Sequence, residues 1–156
     1  MRALLQRVTR AEVRVEGEVV GAIGPGLLVF LGVAPGDDET VAWGLAAKVE
    51  GLRIFADASG RTNLSISEVG GAALVVSQFT LYADASRGRR PSFIRAAGPI
   101  PGERFYDIFC DRLAVMGVPV KRGVFGAKMD VELVNDGPFT VWLDTSALGI
   151  EPRAAT

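Results

Sequence analysis

Hydroxyl and amide side chains crowd one short run, Ser77-Gln78-Phe79-Thr80-Leu81-Tyr82, directly after the apolar stretch Ala72-Ala73-Leu74-Val75-Val76. A serine or threonine that attacks a carbonyl needs an adjacent base to take its proton. The chain contains no histidine, so the commonest base is absent. Lys121 and Lys128 are the only lysines downstream, and nothing in the sequence brings either to Thr80. Any hydrolysis at this run therefore draws on hydroxyls, backbone groups, water or the substrate itself. The plainer reading is that Ser77 and Thr80 bond backbone at the end of a sheet, since an unpaired buried hydroxyl costs about 1–3 kcal/mol.

A second run, Asn135-Asp136-Gly137-Pro138-Phe139-Thr140, lies between the apolar segments Val131 to Val134 and Phe139 to Leu143. Taken alone it is turn chemistry. It also has a property that suits a ligand. Glycine has no side chain and proline no N–H, so both carbonyls can be offered as rigid acceptors to an ammonium group.

The elements that must position these runs are legible from periodicity. Val13 and Val15 alternate with charged residues, Glu16-Gly17-Glu18 turns the chain, and Val19-Val20 returns, which predicts a hairpin. Leu27 to Val33 is a continuous apolar run suited to a strand covered on both faces. Pro35-Gly36-Asp37-Asp38 supplies a turn and an N-cap, and Val41, Leu45, Val49 and Leu52 then recur at helical spacing. A short strand is expected at Arg53 to Ala56 and a buried one at Ala72 to Val76. If that strand continues through the first run, Gln78, Thr80 and Tyr82 share one face and Ser77, Phe79 and Leu81 the other. Residues 83 to 100 form the longest loop. Pro101 starts a second helix, lined by Phe105, Ile108, Phe109, Leu113 and Met116 and stopped by Gly117. Three strands close the chain, Val118 to Phe125, Met129 to Asn135 and Phe139 to Asp144. This pattern predicts one α+β domain over residues 1–156, with mixed β-sheet in two layers and two helices on one side.

Composition narrows the function classes. At 156 residues and 49% hydrophobic content the chain can bury roughly two thirds of its unfolded surface. Cys110 is alone, so neither a disulfide framework nor a cysteine cluster is available, and no metal or cofactor is expected. Charge interrupts the first apolar residues too early for a signal peptide, and no stretch approaches the ~20 apolar residues of a membrane span. A soluble cytoplasmic protein without membrane contact is expected. The net charge of −1 lacks the basic excess of proteins that hold long duplexes. Arg87, Arg89, Arg90 and Arg95 form the densest basic group, either a solvated loop or an edge contact for an acidic ligand.

Read together, ordered segments along nearly the whole chain resemble the D-aminoacyl-tRNA deacylases of the D-tyrosyl-tRNA deacylase type. They are Met1-Arg2-Ala3, Gln6-Arg7-Val8, Gly24 to Leu28, Leu31-Gly32-Val33, Leu52 to Phe55, Asn63-Leu64-Ser65, Val75 to Tyr82, Gly88 to Phe93, Phe125-Gly126-Ala127, Met129, and Val134 to Pro138. The chief departure is Phe139, where the family more often carries a smaller valine.

The resemblance implies layered, barrel-like sheets and hydrolysis of the ester in D-aminoacyl-tRNAs. It also implies a homodimer in which Gly137-Pro138, through a cis peptide, enters the other subunit's pocket to hold the substrate's amino group and reject L-amino acids. Arg7 then holds the motif in orientation. Ser77, Gln78, Phe79 and Thr80 line the pocket for the aminoacylated 3′ adenosine of tRNA, with Met129 near it. Achiral glycine passes the same filter, so glycyl-tRNA mischarged on alanine tRNA is a second expected substrate. Two other readings stand beside this one. One is a relative that removes a small L-amino acid, against which the Phe79-Thr80 pair argues. The other is a non-catalytic module for RNA ends or a partner protein, supported by the missing base.

Overall fold

Alternation in the opening segment runs well past the hairpin that it predicts. In the computed structural model, which describes residues 1–154, strand β1 spans Arg2–Val15 and buries Ala3, Leu5, Val8, Ala11 and Val13. Chain order continues with β2 Glu18–Ile23, β3 Gly26–Gly32, α1 Glu39–Glu50, β4 Phe55–Ala56, β5 Thr62–Leu64 and β6 Ala72–Ser77. A single 3-10 turn at Phe79–Tyr82, helix α2 Pro99–Val115, β7 Val120–Arg122 and β8 Asp130–Asp144 complete it.

The main sheet runs β2-β1-β3-β6-β7, and β8 pairs with β1. β1 meets β3 through Arg2 to Val8 and β2 through Ala11 to Val15, while β8 follows almost its whole length. β3, β6 and β7 are parallel, so each step needs a crossover, supplied by α1 and α2. Both steps move the same way across the sheet, and crossovers of one hand then leave both helices on one face. On that face Leu5, Leu27, Val29, Leu31 and Val75 pack with Val41 and Leu45 of α1 and Phe109 and Leu113 of α2. On the other, Val8, Val13, Leu28, Leu74 and Val76 form a second cluster with Met129, Val131 and Leu133. β3 is covered on both sides, as its unbroken apolar run predicts. The sheet curls almost into a barrel. A Cβ on Gly21 of β2 would lie 2.8 Å from the Arg122 carbonyl of β7, so closure depends on a glycine there.

Several boundaries differ from expectation. β6 ends at Ser77, because β3 runs out beside it and Gln78 N–H makes the last bond, 2.8 Å to the Leu31 carbonyl. With no neighbour beyond, the chain coils, Leu81 N–H bonding to Gln78 O and Ala83 N–H to Thr80 O. The expected two-faced alternation of residues 77–82 is therefore replaced by a turn in which Tyr82 is buried and Phe79 exposed. α2 starts at Pro99 rather than Pro101 and also buries Tyr106 and Cys110. β7 is shorter than predicted. The two expected closing strands are one, β8, since both halves pair with β1 in the same direction.

The Asp38 carboxylate caps α1, accepting from Val41 N–H at 3.0 Å, and also accepts from Arg153 N–H at 2.8 Å. Those backbone donors, Arg153 first, hold its carboxyl below the ordinary value. Asp38→Ala is expected to cost about 0.5–2 kcal/mol near neutral pH. A depressed folded pKa contributes stability above the unfolded value of about 3.9 and loses it as pH falls through the folded value. Thermal melts of the two proteins should therefore differ near neutrality and converge in acid; a constant difference would contradict the cap assignment.

Candidate active site

Where β6 gives way to the 3-10 turn, the backbone opens a cleft of about 550 Å³. Its floor is Leu31, Val33 and Val76. One wall is Ser77, Gln78 and Phe79; the others come from Phe93 to Tyr106 and from Phe125 to Val131. Phe79 meets Phe93 edge-on at 5.0 Å between ring centres, and Ala97 N–H ties the loop to Val33 O at 2.8 Å. The lining is mainly apolar. Tyr106 brings a hydroxyl, which donates to Val75 O at 2.8 Å, and burial pushes its ionisation well above the usual tyrosine range. The phenol is therefore no base at neutral pH, and its proton is committed to that carbonyl. Lys121 and Lys128 are exposed and absent from the lining. Cys110 is buried in the core, where desolvation raises its thiol to about 12.

Of the residues singled out from sequence, Ser77, Gln78, Phe79 and Met129 line this cleft. Thr80 lies one position beyond, its hydroxyl accepting a hydrogen bond from the Gln78 amide. The backbone bonds of the turn start from Gln78, Leu81 and Ala83, leaving the N–H groups of Phe79 and Thr80 without a backbone acceptor among the described residues. Such free donors are inherent to the opening of a helical turn. Hydroxyl, amide and two main-chain N–H groups thus sit together at one edge of an apolar cleft.

Arg7, Gly137 and Pro138 are not part of that lining. They belong to a break in the β1–β8 ribbon. Gln6 pairs with Thr140 and Val8 with Asn135, so the four residues Asp136 to Phe139 stand opposite Arg7 alone. This is a large bulge rather than a chain reversal. The Asn135 amide closes its base, donating to Arg7 O at 2.9 Å and Phe139 O at 3.1 Å. The Arg7 guanidinium stacks 4.2 Å from the Phe139 ring centre and donates to Ile54 O at 2.6 Å. Its Nε lies 2.9 Å from Asp136 Oδ2 without hydrogen-bond alignment, so that contact is an ion pair held by charge. Gly137 and Pro138 are exposed, and the peptide joining them is cis.

Asn135 and Asp136 of the second run, Phe93 and Phe125 of the segments that carry the resemblance, and Tyr106 had no site role assigned from the sequence. The first two were open to notice as polar neighbours of Gly137-Pro138. Phe139, singled out only as a departure, is the surface on which Arg7 stacks.

Residues 4–144 match the family model described as D-Tyr-tRNA(Tyr) deacylase, a span that includes every candidate residue from Arg7 to Pro138. The chain is 57% identical over 148 residues to a D-aminoacyl-tRNA deacylase of Thermomicrobium roseum, covering 95% of this chain and 96% of that one. It is 59% identical over 144 residues to a D-aminoacyl-tRNA deacylase of Dinoroseobacter shibae, covering 92% and 99%. Among solved structures it is similar to a c-Myc DNA unwinding element binding protein, with a TM-score of 0.87 and 39% identity over 92% of this chain and 98% of that one. Fold and sequence are those of an ester hydrolase of the aminoacyl-tRNA deacylase class. The chain belongs to the D-Tyr-tRNA(Tyr) deacylase family.

Removing the Arg7 guanidinium leaves Ile54 O and the Asp136 carboxylate without their cation. Arg7→Met is expected to destabilise by about 1.5–3 kcal/mol, the range for hydrogen bonds to charged groups. Urea unfolding measures this, and amide exchange should quicken at residues 136–139. Arg7→Lys should recover only part of the loss, because an ammonium lacks the planar face that stacks on Phe139. Unchanged unfolding in Arg7→Met would refute the bracing role.

Proposed function

We propose that this protein hydrolyses the ester of D-aminoacyl-tRNAs, and of glycyl-tRNA mischarged on alanine tRNA, as a cytoplasmic homodimer of a single-domain chain spanning 1–156. The observation that carries this reading is the separation of two half-sites within one chain. Ser77, Gln78 and Phe79 line the cleft with Thr80 one position beyond, whereas Gly137 and Pro138 are exposed, braced by Arg7, and outside that lining. A second copy joins them if its bulge enters the cleft. The Gly137 and Pro138 carbonyls then accept from the substrate's ammonium group and leave no space for an L side chain.

The chemistry fits a cleft without an ionisable base. An aminoacyl ester is already activated, and holding it in line with water supplies much of the barrier reduction. Water attacks the ester carbonyl. The Phe79 and Thr80 N–H groups stabilise the oxyanion of the tetrahedral intermediate. The bond from carbonyl carbon to ribose oxygen breaks, that oxygen takes a proton, and the amino acid leaves with the hydroxyl from water. The neighbouring 2′-OH of the terminal ribose assists the water. Ser77, Gln78 and Thr80 position the ester, Gln78 fixing the Thr80 hydroxyl, while Phe79 and Met129 hold the adenosine and amino acid. No helix among the described residues is long and apolar enough to cross a membrane.

The test is release of D-tyrosine from charged tRNA, with L-tyrosine as control. The D isomer should be freed and the L isomer spared; equal cleavage of both, or of neither, contradicts the proposal. Pro138 is exposed, so Pro138→Ala should keep the wild-type melting temperature while losing discrimination between isomers. Full discrimination in that variant would remove Pro138 from the substrate filter.

A further inference from the structure

Between Asp84 and Glu103 the chain carries four arginines and no carboxylate, in a protein whose net charge is −1. The structure divides those four. Arg95 lies 3.5 Å from Asp84 Oδ2, and Asp84 is held ionised chiefly by the Ser86 hydroxyl and N–H. That pair cancels. Arg87, Arg89 and Arg90 are exposed, and none forms a salt bridge among the described residues. By contrast Arg2, Arg7, Arg10 and Arg122 each have a carboxylate oxygen no farther than 2.9 Å.

Arg87, Arg89 and Arg90 sit together on a defined tip. Asp84 and Ser92 exchange backbone hydrogen bonds of 2.8 and 2.9 Å, pinning residues 85–91 at their base, and every residue of the tip is exposed. Gly88 has a φ of +73°, a conformation that suits glycine at the turn between Arg87 and Arg89. Immediately after the pin, Phe93 lines the cleft against Phe79. Three residues of chain span at most about 11 Å, so the Arg90 backbone lies within that reach of the cleft wall.

Three uncompensated guanidiniums in four residues suit a ligand that presents several anions in succession. A free amino acid or a nucleoside offers no such series, whereas a sugar–phosphate strand offers one charge per nucleotide. We propose that the 85–91 tip binds the phosphates of the RNA strand leading to the nucleoside in the cleft, through Arg87, Arg89 and Arg90. This rests on reading the cleft as an aminoacyl-tRNA site, and it names where the rest of that substrate is held. Affinity for the RNA then comes from a surface outside the reacting centre.

The test compares wild type with the combined Arg87→Gln, Arg89→Gln, Arg90→Gln variant on two substrates, D-tyrosyl-tRNA and 3′-D-tyrosyl-adenosine, which has no phosphate. KM for the charged tRNA should rise about tenfold or more, and the slope of log kcat/KM against log salt should flatten by about two, at ~0.7 per phosphate contact on a single strand. Cleavage of the adenosine ester should keep its wild-type kcat/KM. The matching triple lysine variant should regain most of the salt slope, since a point charge still pairs with phosphate. Unchanged KM and salt slope in the glutamine variant overturn the proposal. So does an equal loss on both substrates, which would mark the tip as support for the cleft, and so does preferential binding of polyglutamate over tRNA. If wild type cleaves neither substrate, the deacylase reading fails separately, and the salt dependence of uncharged tRNA binding by the two proteins still decides the tip.

Discussion

The pairing of the two longest strands, and the place where it breaks most widely, organises this molecule. β8 follows β1 from Arg14 to Arg2, yet between Val8 and Gln6 it spends four residues where β1 spends one. A ladder interrupted in this way must satisfy its backbone groups from elsewhere. Asn135 supplies donors to the Arg7 and Phe139 carbonyls, and the Arg7 side chain braces the excursion through Asp136, Phe139 and Ile54. The result is a braced excursion in which Gly137 and Pro138 are exposed. Its shape depends on ladder geometry and one guanidinium.

A parallel logic produces the other half-site. Parallel β3 and β6 end almost together, so the chain after Ser77 has no neighbour to continue the sheet. It coils into a single turn that leaves the Phe79 and Thr80 N–H groups without a backbone acceptor among the described residues, at the edge of an apolar cleft. Both the bulge and the cleft edge are thus places where sheet pairing stops. The chain lacks histidine, and the cleft's one phenol is tied to backbone and held protonated. On the proposed function, selectivity made from main-chain atoms would depend on where those atoms are held, and the contacts of Arg7 and Asn135 hold the backbone of the bulge.

What was legible in the sequence follows from the same physics. The first hairpin, α1 and the doubly buried β3 announce themselves because their patterns are local: alternation, a cap with a periodic stripe, an unbroken apolar run. The end of β6 is not local. It is set by where β3 stops, so alternation carried forward through residues 77–82 misleads. Asn135 to Pro138 has turn chemistry, and the bulge uses that chemistry without reversing the chain; only the partner strand distinguishes the two outcomes. Pro99 and Pro101 are both compatible with a helix start, which is why the boundary of α2 moved. The cleft walls come from segments far apart in sequence, and Phe93, Tyr106 and Phe125 carry no signal that they converge. Ser77, Gln78, Phe79 and Met129 did converge, named through a family resemblance that the comparisons support.

On the proposed function, a complete site takes its cleft from one copy and its bulge from another. A mixing experiment tests it most directly. Prepare one variant crippled in the cleft by Phe79→Ala and Thr80→Ala, and a second crippled in the bulge by Pro138→Ala and Gly137→Val, then co-refold the two with different affinity tags. Each alone should fail to clear D-tyrosyl-tRNA selectively, whereas random pairing should restore about a quarter of the wild-type sites, because half the dimers are hybrids and each hybrid holds one intact site. Hybrid dimers recovered through both tags yet still inactive would contradict the account, as would a wild-type enzyme that works as a monomer.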